Sequence, residues 1–268
     1  MSVPKLAAAA LILALSSTAH AQSITGWNVT RTDDAVTAFA EYSSGQTLAV
    51  RCKADTLDVF VLGLALPDSL QSKVVHGYHY KILDPISDDV ISVAGLSDAP
   101  ISTAFAHHPG RTARYFARSE NLKIADYVGG TPVVLSLPTD PTGVNEVLTA
   151  CDRPLTDPRD SLPRHSIGGS GMMSVVAKAG MASMMNLPTG STSTVTTCVL
   201  DARLRLRDCQ TDLQSHTFEA TASNLRRLKR FNRAFNRELN GQPLGTADTV
   251  PGPAAAGDLV YLTTHQNV

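Results

Sequence analysis

Four cysteines and one loose group of histidines are the residues of this chain whose types and spacing could do chemistry. Cys52, Cys151, Cys198 and Cys209 are an even number, and in an oxidising compartment an even set of thiols pairs into disulfides. Three connectivities are formally possible. Spacing and layout favour Cys52 with Cys151 and Cys198 with Cys209, one bridge in each half. Tetrahedral zinc is the competing use of thiolates, but the chain has no Cys-x-x-Cys and no histidine close in sequence to either pair.

His76, His79, His107 and His108 are the weak candidates for a metal site, since two strands could bring three or four imidazoles around one ion. On that alternative the protein is a periplasmic enzyme or metal-binding protein working through its N-terminal half. Surface histidines on two loops account for the same spacing, so no metal and no cofactor is expected. Gly168-Gly169-Ser170-Gly171-Met172 misses the second glycine of a nucleophile elbow. Residues 22–268 hold no Ser-x-x-Lys. No catalytic residue is therefore assigned, and the chain is expected not to be an enzyme.

Charge offers a binding chemistry instead. Arg226, Arg227, Lys229, Arg230, Arg233 and Arg237 fall within one helical pattern, and Arg226, Arg230, Arg233 and Arg237 share a stripe. Guanidinium groups pair with planar anions such as phosphates or the carboxylates of peptidoglycan. A solvated helix face gives the same spacing. The chain as a whole has a formal net charge of −1, so no global field draws it to nucleic acid or to anionic lipid. With one Trp and 5% aromatic residues it is poor in the rings of a stacking platform.

The elements that must position these residues can be read from pattern. Lys5, the apolar run Leu6 to Leu15 and Ala19-His20-Ala21 have the three-part plan of a secretory signal, and the run is too short to span a bilayer. Residues 1–21 are thus expected to be removed, leaving a periplasmic protein without an integral span. Residues 22–151 read as a β-rich domain, an antiparallel sandwich or small barrel. Thr47 to Cys52 and Leu57 to Leu62 make a hairpin about Lys53-Ala54-Asp55-Thr56. Further strands are expected at Gly77 to Leu83, Val90 to Val93, Ala113 to Ala117 and Pro132 to Leu137, and a helix at Val144 to Ala150. Residues 152–170, rich in Pro, Gly and charge, read as a linker. Beyond it, Met172 to Met185 reads as a short helix of pliable core, with thioether ligation of copper(I) as the alternative. Ser193 to Asp201 and Arg203 to Gln210 form a hairpin that sets Cys198 opposite Cys209. Phe218 to Leu239 has helical periodicity, with Leu225, Leu228, Phe235 and Leu239 on one face.

Cys198-Val199-Leu200-Asp201, Leu206-Arg207-Asp208-Cys209, Phe218, the helix Ala220-Ala222-Leu225-Leu228-Phe231 and Asn240-Gly241-Gln242-Pro243-Leu244 carry a resemblance. Over about residues 171–268 the chain resembles the C-terminal domain of TonB-type energy transducers, and more closely the variants with a cystine in the hairpin. The resemblance implies a βαβ-type domain, α+β overall, whose last strand is an open sheet edge that receives an extended peptide of an outer-membrane protein. Its partner is then an envelope protein segment or peptidoglycan. The chain departs from the pattern at Leu204, where the family's turn has Gly, and after Phe231, where the family has Pro. Pro251, Gly252 and Pro253 interrupt the final strand, with Asp258 to Thr263 as its replacement. A retained anchor and a Pro-rich spacer are missing, so proton-motive coupling is not expected.

Overall fold

A computed structural model describes residues 26–64, 79–83, 90–93, 102–126, 131–167, 191–213, 222–244, 249–250 and 252–267. The signal segment, His76, the Gly168 to Gly171 run, Met172 to Met185 and Phe218 lie outside them. The molecule is α+β, and its described residues are mostly strands with three α-helices. No helix among the described residues is long and apolar enough to cross a membrane.

The first sheet takes nine strands: β1 Asn28–Arg31, β2 Ala35–Glu41, β3 Thr47–Lys53, β4 Thr56–Leu64, β5 His79–Ile82, β6 Val90–Val93, β7 Ser102–Ala106, β8 Asn121–Asp126 and β9 Val133–Ser136. Their spatial order is β1-β2-β3-β4-β7-β6-β5-β8-β9, and every neighbouring pair is antiparallel. This is one continuous sheet and not two stacked ones, which corrects the sandwich expectation. The sheet curls until its ends meet: Gly26, before β1, bridges Asp140, after β9, and the Tyr42 hydroxyl donates to the Ser136 carbonyl at 2.8 Å.

Two helices, α1 Pro109–Phe116 and α2 Thr142–Ala150, pack against this sheet and close a core built on Leu48, Val50, Leu57, Val59, Phe116, Leu122, Ile124, Val144, Val147 and Leu148. The β3–β4 hairpin turns on Ala54 and Asp55 alone, both at positive φ, the left-handed pair that matches strand twist in a two-residue turn. Where Ala113 to Ala117 reads as a strand in sequence, the chain is helical. Pro109 at the first helical turn and the buried pair Ala113 and Phe116, three residues apart, explain the correction: local β-propensity yields to a face that packs.

Trp27 stacks on Phe116, with ring centroids 6.0 Å apart, and leaves no room beside the first turn of α2. A Cβ at Gly143 would sit 2.6 Å from the Trp27 Cβ and 3.0 Å from a Val29 methyl. Gly143→Ala is expected to destabilise the fold by about 1–3 kcal/mol, the usual cost of overpacking. Urea unfolding followed by the fluorescence of Trp27 checks it, and an unchanged midpoint would show that α2 can slide away from the sheet.

The second sheet has five strands in the order β12-β11-β14-β10-β13: β10 Arg164–Ile167, β11 Ser191–Leu200, β12 Leu206–Leu213, β13 Thr249–Val250 and β14 Leu259–Asn267. Helix α3, Ala222–Leu239, packs on β12. Phe231 and Phe235 stack at 5.2 Å and join Leu239, Leu206, Val260 and the Cys198 and Cys209 side chains in the core. The late strand expected from Asp258 exists as β14.

The reading of residues 152–170 as an unstructured linker fails where the chain is described. Pro158–Ser161 is a 3-10 helix capped by the Asp157 carboxylate, which accepts from the Arg159 N–H, and β10 is a working strand of the second sheet.

Candidate partner-binding site

All four cysteines are bonded and none is free. Cys52–Cys151 joins the end of β3 to the residue after α2, and Cys198–Cys209 staples β11 to β12. The second bridge lies beside a register shift between Thr197 and Val199. Paired sulfurs are spent as nucleophiles and as ligands, and they mark a chain of an oxidising compartment.

What a five-stranded open sheet can bind depends on its edges, because an unpaired row of N–H and C=O groups is a template for another strand. The β12 edge is covered. Asn232, Asn236 and Asn240, four residues apart, present one face of α3 to it. Asn232 Nδ2 donates to the Thr211 carbonyl at 3.3 Å, the Thr211 hydroxyl donates to Asn236 Oδ1 at 2.7 Å, and the Cys209 N–H donates to Asn240 Oδ1 at 3.4 Å. Past the helix, the Gly241 N–H donates to the Leu206 carbonyl and the Leu206 N–H to the Gln242 carbonyl.

The opposite side of the sheet is different. β10 runs parallel to β14 and pairs only with its first three residues: Arg164 with Leu259, His165 with Val260 and Ser166 with Tyr261. β13 in turn covers only Ser166 and Ile167 of β10. Beyond Tyr261, β14 continues to Asn267 paired with β11 throughout. Among the described residues, no strand lies on the β10 side of Leu262–Asn267. The Leu259 N–H points to that side, where it reaches the Pro163 carbonyl at 2.8 Å. With a strand period of two, the N–H groups of Thr263, His265 and Asn267 follow it.

The predicted arginine stripe is real as a surface. Arg226, Arg230, Arg233 and Arg237 are all exposed on α3, on the side away from Phe231, Phe235 and Leu239. Arg237 approaches Glu238 at 4.0 Å, and Arg233 Nε donates to the Lys229 carbonyl. Lys229 reaches across to Asp55 in the β3–β4 turn, at 2.6 Å.

Of the four histidines, His76 lies outside the described residues and the other three sit on or just after two separate strands. His79 begins β5, while His107 and His108 follow β7, and β6 lies between those two strands. His108 is buried with its ring edge-on to Tyr261 at 5.1 Å. Burial first, then the positive charges of Arg164, His107 and Arg111, hold its imidazole well below the ordinary value. No group of three or more potential metal-ligating side chains occurs among the described residues.

Sequence reasoning missed a polar brace between the two sheets. Arg114 of α1 holds Asp160 with two bonds of 2.7 Å, Nε to one carboxylate oxygen and Nη2 to the other, and Arg118 adds a third of 2.7 Å. Arg159 pairs with Asp157 at 3.1 Å and donates to Gln210 and to the Asp208 carbonyl of β12. Arg153 meets Asp212 at 2.9 Å. The brace surrounds a cleft of about 50 Å³ whose walls include Arg114, Asp157, Asp160 and Asp212, against roughly 300–1,000 Å³ for a small-molecule site. The alternation of Arg and Asp from 152 to 164 was the available signal, and the same alternation describes a solvated loop.

No family model, no curated protein and no solved structure matches this chain.

Proposed function

We propose that this chain is a periplasmic, non-catalytic binding protein of the cell envelope, whose C-terminal part, TonB-like in plan, takes up an extended segment of an envelope protein along β14. The observation that carries this reading is the asymmetry of the edges. β12 is sealed by an asparagine ladder and β13 is two residues long, while β14 runs six residues past its last partner on the β10 side, among the described residues. A guest strand in line with β10 would meet three N–H donors there, and its own alternate side chains would supply specificity. The two disulfides agree with work outside the cytoplasm.

Proline at 263 and 265 removes two donors from the open side and leaves the β11 ladder in place, since neighbouring N–H groups on a strand point to opposite sides. Peptides selected from an extended-dodecamer library on the full chain should bind the Thr263→Pro/His265→Pro variant at least about tenfold more weakly, two lost hydrogen bonds being enough. Selected peptides that bind both proteins equally would refute strand addition at β14, as would a library that yields no binder.

A further inference from the structure

We infer that the tip of the β11–β12 hairpin and the outer face of α3 form a docking surface for an anionic lipid bilayer, an activity separate from strand addition at β14. The charge of the chain is segregated: residues 201–241 contain nine Lys and Arg against five Asp and Glu, within a chain of formal net charge −1. In α3 alone there are six cations and one acid.

The placement of these cations is as informative as their number. At 100° per residue Arg226, Arg230, Arg233 and Arg237 fall within about 60° of one another, along about 16 Å of helix. All four are exposed, and among the described residues no carboxylate lies within ion-pair distance of the Arg226 or Arg230 side chain. The C-terminal end of this helix touches the hairpin tip, where Arg205 Nη1 donates to the Gly241 carbonyl at 2.8 Å. Arg203, Arg205 and Arg207 surround an open recess of about 450 Å³ floored by Ala202 and Gly241, with Asp201 as its single acid. Asp201 is engaged by the backbone N–H groups of Arg203 and Arg205 and by Arg207, so it organises the turn and leaves the Arg203 guanidinium outward.

Between those arginines stands Leu204, one of four large apolar side chains exposed among the described residues, at 40%. It occupies a left-handed conformation, φ 53°, which a branched side chain seldom adopts. An aliphatic group held at a hairpin tip and ringed by guanidiniums has the chemistry of the interface between lipid phosphates and acyl chains. Each Lys or Arg brought near an anionic leaflet strengthens binding about fivefold. A linear polyanion would use the arginines and gain nothing from Leu204, whereas a bilayer uses both.

Sedimentation of the full chain with vesicles of phosphatidylcholine, with and without phosphatidylglycerol, tests the inference. Binding is expected only with phosphatidylglycerol and is expected to fall as salt rises. The double reversal Arg230→Glu/Arg233→Glu, at two exposed positions, should weaken it by more than about tenfold. Leu204→Asn should weaken it by about fivefold or more, although asparagine suits the left-handed backbone and leaves the fold intact, so that loss of folding cannot imitate the result. Circular dichroism of both variants secures the comparison. Equal binding to both vesicle types, no loss in the reversed variant, an unaltered Leu204→Asn variant, or capture by murein sacculi but not by vesicles would each overturn it. The peptide affinity of β14 is a separate readout and is expected to be unchanged in both variants.

Discussion

Replacing Asp160 by alanine is expected to lower the unfolding free energy by about 3–5 kcal/mol, because it leaves the buried Arg114 guanidinium with only its longer contacts, at 3.5 Å, to Asp157 and the Pro154 carbonyl. Asp160 is 7% exposed and Arg114 5% exposed, so water cannot take the place of the missing carboxylate. The bidentate contact also adds directional hydrogen bonds to the charge attraction. Asp160→Asn, which keeps the volume and one acceptor, should cost less. Urea denaturation read at Trp27, which stacks on the same helix that carries Arg114, measures the difference. Destabilisation below about 1 kcal/mol, the level of surface pairs, would mean that the brace opens freely to solvent.

The same network sets an acid limit. Burial by itself would raise the Asp157 carboxyl, but the hydrogen bonds and charge of Arg159, with Arg114 behind it, outweigh burial and hold it below its ordinary value of 3.8. A carboxyl lowered on folding binds fewer protons folded than unfolded. Its contribution is therefore complete above 3.8 and is lost as pH falls below that value. The Asp157→Asn variant should lose stability at neutral pH and show a shallower loss between neutral pH and pH 3 than the parent.

Removing the Cys52–Cys151 bridge, as Cys52→Ala/Cys151→Ala, should cost about 4–5 kcal/mol, and removing Cys198–Cys209 about 3 kcal/mol. Both figures follow from the loop each bond closes in the unfolded chain, since a longer loop loses more entropy when closed. The sequence separations are 99 and 11 residues. For a protein of this size the first loss lowers the melting temperature by roughly 10–20 °C. Calorimetry of the two double variants and of the reduced parent gives the comparison. The expected order, long loop above short, would be contradicted by a larger effect at Cys198–Cys209, and that outcome would place the hairpin staple in the folded state's energy and not the unfolded state's entropy. The long bridge also has a positional consequence, for it pins the end of α2 to β3 beside the start of the brace, so its loss should make the Asp160 variants more sensitive to salt.

Much of the element content was legible in the residues themselves. The alternation in Thr47 to Leu62 predicts the β3–β4 hairpin, and Cys198 with Cys209 predicts a stapled hairpin, because both depend on neighbours within a dozen residues. The α3 stripe was legible for the same reason, since a 3.6-residue period sorts apolar from charged positions along one helix. The strand expected at Ala113 to Ala117 failed because Tyr and Phe favour strands locally, while Phe116 is decided by Trp27, which is distant in the chain. The stretch from 152 to 167 failed more instructively. Prolines and mixed charges describe a solvated connection equally well, and only when Arg114 arrives from α1, Arg118 from just past it, and Asp208 and Asp212 from β12, do those charges become a brace.

By itself the order of residues determined the pairing of like with like along the chain: apolar positions into strands and one helix face, cysteines into two loops of very different length, arginines onto one stripe. The tertiary structure alone decided which strand edges are sealed. The side chains of Asn232, Asn236 and Asn240 are ordinary polar residues until β12 lies beside them, and among the described residues β14 has a partner on its β10 side for three residues and none for the next six. Local pattern records how each segment partitions between water and core. Whether a backbone donor is left open depends on where a distant segment ends, and no periodicity encodes that.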